Sequence, residues 1–377
     1  MPTSLATVPA EGLGGHAGSR HPGAVAPTIS TKSETPRPPV AGRRERTLSS
    51  SWGALRRRIL TPNISATKLS VRGFHYKDET ARELLETVGR SFLEGYGYAA
   101  ESREPLEAEQ KLEKMPYKFR GFAYEGAGMG FAVRDALPFG RGGRTGRFLQ
   151  GRARNHDYMV LVGVGWAMAR VPRSRWSKLG LDDPLLRWLA LDGYGFHQAY
   201  FHTEKYVREQ YREPAFPWPT DGSSWYSPRG IDQGIGRALW FVGGAEPKVV
   251  ADLIESFAEE RHADLYAGSG LAATYAGGLP ESELRWYADR VGPYLPNVAQ
   301  GSAFAATARV DQGLVVDHTG VATKVFCDMT PDEAAKLCHD TRPPAVAELP
   351  EQPGIPAFEV WRRRITATFT TDADVTT

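Results

Sequence analysis

The sequence has few of the residues and runs that define several large classes of protein. Its only cysteines, Cys327 and Cys338, are too few for a disulfide framework in 377 residues and fit a reducing compartment. The longest apolar run, MVLVGVGWAMA from Met159, has eleven residues, and a membrane-spanning helix needs roughly 20. The N-terminus lacks the apolar core of a signal peptide. These absences predict a cytoplasmic protein that does not span a membrane.

An excess of one charge is also missing, because the formal net charge is only +2. The first sixty residues carry nine Lys or Arg against three Glu, or +6, which leaves about −4 for the remainder. A mildly acidic folded part does not favour a nucleic-acid partner. Residues 1–50 are rich in Pro, Ala, Gly, Ser and Thr without a periodic apolar face, which predicts a disordered tail. A helical-repeat domain is expected over 51–345, followed by a partly disordered extension over 346–377.

Local signals predict the first elements after this tail. SWGALRRRILTP is typical of a short basic helix ended by Pro62, and TKLSVRGFHY alternates like a strand. DETARELLETVGRSFLEGYGYAAE predicts a long amphipathic helix capped by Asp78 or Thr80. Near the C-terminus, VATKVFCDMTPDEAAKL repeats the order of strand and then helix. The two strands would pair and tie the ends of the domain together.

A glycine-rich pattern recurs along the chain. Its template is a variable residue, Gly, any residue, Gly or Ala, any residue, and usually a small residue. The first glycines are 30 to 41 residues apart, which is the length of a helix-turn-helix unit. The seven copies are EGYGYAA at Glu94, EGAGMGFA at Glu125, VGVGWAMA at Val162, DGYGFHQA at Asp192, QGIGRALW at Gln233, AGSGLAAT at Ala267 and QGSAFAAT at Gln300.

The segments between the copies favour helices. EPLEAEQKLEKM, HTEKYVREQYRE, PKVVADLIESFAEE and PESELRWYADRVG are polar and charged, and several begin with a proline or an acidic turn. Small residues four apart, such as Gly163 and Ala167, would let glycine-rich inner helices cross closely. The alternative is that the glycines mark strands or loops, since each costs a helix about 1 kcal/mol relative to Ala. The predicted fold is mainly α, with about seven helix-turn-helix repeats in an open α-solenoid or a closed α/α toroid and a minor β element near the ends.

One copy of the pattern departs from the others. At the fourth position after the leading glycine the other six copies have Ala or Gly, whereas ALDGYGFHQAYFH has His197. Departures from a local rule tend to mark functional or strained sites. His197 is either a core histidine bonded to a neighbour such as Asp192, or a catalytic or ligand-contacting residue.

The residue before each leading glycine and the residue three after it share a helix face. If the inner helices face a common lumen, these positions form an aromatic surface that carries a few acids and amides. Carboxylates among aromatic rings have raised pKa values and can act as general acids, although they can also cap or bridge helices, which is the favoured interpretation for Glu94. The predicted catalytic residues are Asp192, His197 and Glu125. The predicted substrate-binding residues are Tyr98, Met129, Trp166, Phe196, Gln233, Arg237, Gln300 and Phe304, with Leu271 on the same stripe.

Weaker motifs limit the choice of partner. GRGGRTGRFLQGRAR is either a solvated loop or a basic patch that contacts phosphate or an acidic partner through Arg141, Arg144 and Arg147. Cys327, Cys338 and His339 lack the paired spacing of a zinc site. GAGMG does not follow a predicted strand, which argues against a dinucleotide fold. No particular cofactor is indicated.

Several segments together resemble the UnbL family, a bacterial domain of unknown function that accompanies enediyne polyketide gene clusters. The similarity covers about residues 51 to 340 and rests on ALRRRILTP, SVRGFHYKDETARELLETVGRSFLEGY, FRGFAYEGAGMGFAV, LLRWLALDGYGFHQAYF, DQGIGRALWFV and VAQGSAFAATARV. The resemblance implies a role in secondary metabolism, in building or maturing a polyene-derived enediyne core. It implies no active-site residues.

The sequence therefore leaves three alternative functions open. The first is a biosynthetic protein, or an enzyme's partner, that acts on a hydrophobic polyene intermediate and contacts a polyketide synthase or acyl carrier protein through the basic loop. The second is an acid-initiated cyclase of an isoprenoid-like polyene, with Asp192 as the acid; the lack of a clustered Asp motif counts against it. The third is a helical-repeat scaffold or carrier without catalysis.

Overall fold

A computed structural model describes residues 42–138 and 142–370, with side chains described from residue 51 onward. This part of the chain is mainly helical. Its sixteen α-helices are α1 Gly42–Leu60, α2 Leu69–Arg72, α3 Glu79–Glu101, α4 Pro105–Leu112, α5 Arg120–Ala136, α6 Arg144–Gln150, α7 Asp157–Met168, α8 Leu189–Phe201, α9 Ser227–Val242, α10 Pro247–Glu255, α11 Glu259–Tyr275, α12 Glu281–Val291, α13 Leu295–Asp311, α14 Asp317–Cys327, α15 Pro331–Thr341 and α16 Ala357–Thr368. A short antiparallel pair, β1 Glu348–Leu349 and β2 Gln352–Pro356, is the only sheet among these residues.

The predicted fold class is confirmed, and several helix ends follow local signals. α1 ends two residues before Pro62, and the Asp78 side chain caps α3 by accepting a hydrogen bond from the Ala81 amide. Pro105 and Pro247 begin α4 and α10, where the missing proline N–H has no helical partner to lose. Most of the predicted tail, residues 1–41, lies outside the described residues.

The two predicted strands are wrong. Part of TKLSVRGFHY forms the single turn α2, which ends at Gly73 in the left-handed conformation, and VATKVFC belongs to α14. Thr323 and Phe326 are buried on α14, so tertiary packing overrides the β-propensity of the β-branched residues there. The minor sheet near the C-terminus is instead β1 and β2. HTEKYVREQYRE also differs from the expected helix, since it contains only one π-helical turn, Glu204–Arg208.

Seven helices carry the glycine pattern, and each packs against the next in chain order: α3, α5, α7, α8, α9, α11 and α13. The array curves so that α5 also meets α9 and α11. Glu125 of α5 lies 3.4 Å from Arg237 of α9, and the ring of Phe122 is 5.0 Å from that of Tyr275 of α11. The segment before α3 bonds to the end of α9 through the His75 amide and the Val242 carbonyl. The inner helices therefore surround a common interior.

The two glycines of the pattern have separate structural roles. The first lies against a backbone carbonyl of the preceding inner helix, and the second lies against a carbonyl of the following one. At Gly234, for example, a Cβ atom would lie 1.9 Å from the Asp192 carbonyl oxygen of α8, and at Gly236 it would lie 2.0 Å from that of Leu265 in α11. Ordinary Cβ contacts begin near 3.4 Å. Only glycine allows this approach, which resembles close small-residue crossings in membrane helices.

This division of roles explains the two ends of the array. The last inner helix, α13, has no following partner, and its second position is Ala303. The first inner helix, α3, has no preceding partner, and its Gly95 meets Ala123 of α5 as a second glycine would. The leading position of α3 is therefore Leu93, two residues before Gly95, the leading glycine that the sequence pattern predicts. Gly97 instead contacts the Arg57 side chain of α1.

The C-terminal helix α16 covers the inner face at α13. Trp361 has no exposed surface, packs 4.8 Å from Phe304 between ring centroids, and donates its indole N–H to the Cys338 carbonyl. Arg362 reaches inward to Asp264 of α11 at 2.7 Å and to Gln300 of α13 at 3.0 Å. The helical core thus continues into the predicted C-terminal extension, of which residues 371–377 lie outside the described part.

Candidate functional site

A narrow cavity lies between the inner helices. It encloses about 810 Å³ free of protein atoms, its mouth included. Apolar and aromatic side chains from six inner helices form most of its wall, and the segment after α1 covers it through Pro62, Ala66 and Thr67. The wall includes Phe92, Phe122, Met129, Trp166, Phe196, Tyr200, Phe241, Leu271 and Tyr275. An apolar and aromatic lining of this kind is typical of pockets for apolar small molecules.

Two buried charged side chains face this apolar space, Glu125 and Arg237. The Arg237 Nη2 atom lies 3.4 Å from Glu125 Oε1 and 2.8 Å from Asp192 Oδ1. The Trp166 indole N–H donates to the same Glu125 oxygen at 3.1 Å. The Arg237 guanidinium also lies 4.7 Å from the centre of the Phe196 ring. One arginine therefore contacts two carboxyl groups on two other helices, an arrangement that the curvature of the array produces.

The charge balance of this cluster favours one bound proton. Burial raises the pKa of Glu125 to about 7, with Arg237 opposing the shift and Asp192 adding to it. Burial also raises the pKa of Asp192, while Arg237 and then Arg362 counteract this. Two buried carboxylates beside one guanidinium would leave an uncompensated negative charge, which is costly away from water. Glu125 can therefore hold a proton near neutral pH inside the cavity.

Asp192 and Glu125 meet at Arg237, but His197 is placed elsewhere. Asp192 and His197 are buried and are not among the residues that line the cavity. The His197 ring packs edge-on to Trp166 at 5.7 Å and near Phe201 at 4.8 Å, and its Nδ1 lies 3.3 Å from the Gln198 side-chain oxygen. Burial lowers the pKa of His197 to about 4, so the ring is neutral at neutral pH.

The structure brings some of the predicted binding residues together and separates others. Met129, Trp166, Phe196 and Arg237 line the cavity, as does Leu271. Gln233 is buried against Asp264, its amide nitrogen 3.3 Å from that carboxylate. Gln300 and Phe304 lie under α16.

Tyr98 faces away from the cavity because of the two-residue shift in α3. Its hydroxyl donates to Glu94, and the cations of Arg57 and Lys111 lie over its ring. The residues at the true inner positions are Phe92 and Tyr96, and the Phe92 ring packs at a tilt against Trp166, with the ring centroids 4.5 Å apart. The first inner helix has no preceding partner, so it needs only the second glycine of the pattern. Allowing for this difference at the end of the array would have identified the leading position of α3 from the sequence.

The lining also includes residues that the sequence pattern missed. Tyr200, Phe241 and Tyr275 stand seven positions after the leading glycines of α8, α9 and α11, and Phe122 stands four before that of α5. These offsets continue the same helix face by one turn in each direction. Extending the stripe over the whole helix would have identified them.

The basic loop is only partly described, and Arg141 lies outside the described residues. Arg144 is partly buried and pairs with the buried Asp135 at 3.2 Å, which fastens the loop to the end of α5. Arg147 is exposed and lies 3.6 Å from Glu104. Arg144 thus has a structural partner within the chain, and the predicted contact with an acidic carrier protein stays a prediction centred on Arg147.

Residues 51–369 match a family described as "Protein of unknown function (DUF1702)". The chain belongs to this family. No curated protein and no solved structure matches it. Within the described residues of this DUF1702 member, no group of three or more His, Cys, Asp or Glu is placed to hold a metal ion. No helix in that part of the chain is long and apolar enough to cross a membrane.

Proposed function

We propose that this DUF1702 protein is a cytoplasmic biosynthetic protein that binds a hydrophobic polyene intermediate in its aromatic cavity and acts on it. The observation that carries the proposal is a buried, ionisable Glu125–Arg237 pair in a pocket whose other lining residues are mostly aromatic and aliphatic. A conjugated polyene is flat and apolar, so it matches a narrow space between stacked rings. The resemblance to the UnbL family supports a proposed role in enediyne-type polyketide biosynthesis.

The proposed chemistry uses Glu125 as the acid in place of Asp192. Glu125 lines the cavity, whereas Asp192 stands behind Arg237. A neutral Glu125 can donate a hydrogen bond to a carbonyl of the ligand or transfer its proton to a double bond. Arg237 would then stabilise the carboxylate that remains, 3.4 Å away.

An acid-initiated cyclase is the second candidate, and the pKa of about 7 for Glu125 favours it. Protonation forms a C–H bond, breaks the Glu125 O–H bond and leaves a carbocation on the ligand. The faces of Trp166 and Phe196 would stabilise that cation. Ring closure followed by loss of a proton to the Glu125 carboxylate restores the acid, so the cycle balances without a redox partner.

Binding is tested by titrating the purified protein with a fluorescent linear conjugated tetraene acid. Wild type should bind it, and Leu271→Trp, which fills the cavity, should weaken binding by about tenfold or more, equivalent to 1.4 kcal/mol. The matched control is Leu106→Trp on the exposed side of α4, which should bind as wild type does. Equal binding by both variants, at unchanged helical content, would place the ligand elsewhere.

Chemistry is tested in a producing strain. A strain lacking the gene should accumulate a polyene precursor, and a strain with Glu125→Gln should do the same while the variant still binds the tetraene. Conversion that continues normally in the Glu125→Gln strain would leave only the carrier function.

A further inference from the structure

The cavity opens to solvent beside an arginine whose side chain has no hydrogen-bond or ion-pair partner among the described residues. Arg170, just after α7, lines the cavity and is exposed, whereas Glu125 and Arg237 on the same wall are buried. The Arg170 side chain makes no hydrogen bond or ion pair with a described residue; only its backbone amide bonds, to the Ala167 carbonyl. The cavity therefore extends from the exposed Arg170 cation at its mouth to the buried ion pair.

A second arginine, Arg72, contacts the cavity wall from outside. Arg72 stacks at 4.9 Å on Phe201, a wall residue, and has no carboxylate within ion-pair distance among the described residues. Its Nε atom is buried without a hydrogen-bond partner. The stacking holds the guanidinium against one wall residue of the cavity, while Arg72 itself lines the adjacent surface pocket with Glu204.

The acids on the neighbouring helix α3 are engaged elsewhere. Glu94 accepts a hydrogen bond from the Tyr98 hydroxyl, and Glu86 accepts one from the Leu69 amide. Neither forms an ion pair with Arg170 or Arg72 in the described chain. Arg170 is therefore an exposed cation on the cavity wall that forms no ion pair with a described carboxylate.

We infer that the ligand is an anionic amphiphile whose negatively charged end group lies at Arg170 and whose conjugated chain extends inward to Glu125. This inference rests on the proposed function, because it assigns the charge of the molecule that the cavity binds. A terminal carboxylate and a terminal phosphate both provide the required anion, the first on a released chain and the second on a pantetheine arm. An arginine recognises either group through its planar set of N–H donors.

The test compares three probes with the same tetraene chain: the free acid, its methyl ester, and its thioester with phosphopantetheine. Each is titrated against wild type, Arg170→Gln and the control Arg154→Gln, an exposed arginine outside the cavity wall. Arg170→Gln should weaken binding of an anionic probe by about two- to fivefold, the range of an exposed ion pair. It should leave the ester unchanged, and added salt should reduce the difference.

The outcomes separate the two proposals. Weaker binding of the acid alone identifies a carboxylate end group, and weaker binding of the thioester alone identifies the phosphate of a carrier arm. Equal binding of acid and ester to wild type, with no effect of Arg170→Gln, overturns the end-group inference while the cavity proposal stands. If no probe binds at all, both the proposed function and this inference are wrong.

Discussion

Gly234→Ala is the sharpest test of the helix crossings. The new methyl carbon would lie 1.9 Å from the Asp192 carbonyl oxygen and 2.7 Å from the Asp192 carbonyl carbon, both of them backbone atoms of α8. No rotamer change can relieve such a contact, so α8 and α9 must separate by more than an ångström before the carbon reaches an ordinary distance.

Two opposing effects set the size of the change. Ala is favoured over Gly in a helix by about 1 kcal/mol, but forcing an extra methyl group into a packed core usually costs 1–3 kcal/mol, occasionally more. Because the atoms that the methyl group meets belong to the backbone of α8, they can move little. We therefore expect the free energy of unfolding to fall by about 2 kcal/mol and the melting temperature to fall by several degrees.

The assay is thermal unfolding followed by circular dichroism, with Gly146→Ala as the matched control. Gly146 is also helical, in α6, but a Cβ atom there meets nothing within 4 Å. Its replacement should leave the melting temperature unchanged or raise it. If Gly234→Ala proved as stable as Gly146→Ala, the crossings would not require glycine, and the account of the array given above would be wrong.

Three further predictions concern charged and aromatic positions. The free energy of unfolding should fall as the pH rises from 4.5 to about 7, because the unfolded chain releases the Glu125 proton in this range while the folded chain retains it. Glu125→Gln should remove this pH-dependent contribution, which is at most about 3 kcal/mol. Identical pH–stability profiles for the variant and wild type would contradict the shifted pKa. Arg362→Ala should lower the free energy of unfolding by about 3–5 kcal/mol, because it leaves Asp264 and Glu359 buried with fewer cations. The control Arg364→Ala, on the exposed side of α16, should change the melting temperature little. Similar losses in both variants would mean that the buried ion pairs of Arg362 do not stabilise the fold. Asp192→Asn should lower formation of the mature product in a producing strain, because it removes one of the two carboxylates that Arg237 contacts. His197→Ala, at a ring outside the cavity lining, should lower it less, and normal production by the Asp192→Asn strain would limit the reaction to Glu125.

Much of the site could be predicted from the repeat alone. Positions one before and three after each leading glycine share a helix face in any α-helix, so Glu125, Met129, Trp166, Phe196 and Arg237 were found before their contacts were known. His197 shows the limit of this reasoning. Its departure from the pattern is visible in the sequence. The pattern does not show which side of α8 the ring faces, and the ring packs against Trp166 and Phe201 outside the cavity lining.

The sequence by itself determined the number, length and spacing of the inner helices, because caps, prolines and glycine pairs act over a few residues. It also determined which face of each helix is small enough for a close crossing. Only the tertiary structure decided how the array curves, since curvature sums small rotations at each crossing and is not encoded at any single position. That curvature joins Glu125, Arg237 and Asp192 from three helices. It also leaves the inner face of α13 to be covered by α16, whose distance along the chain gives no local signal of the contact.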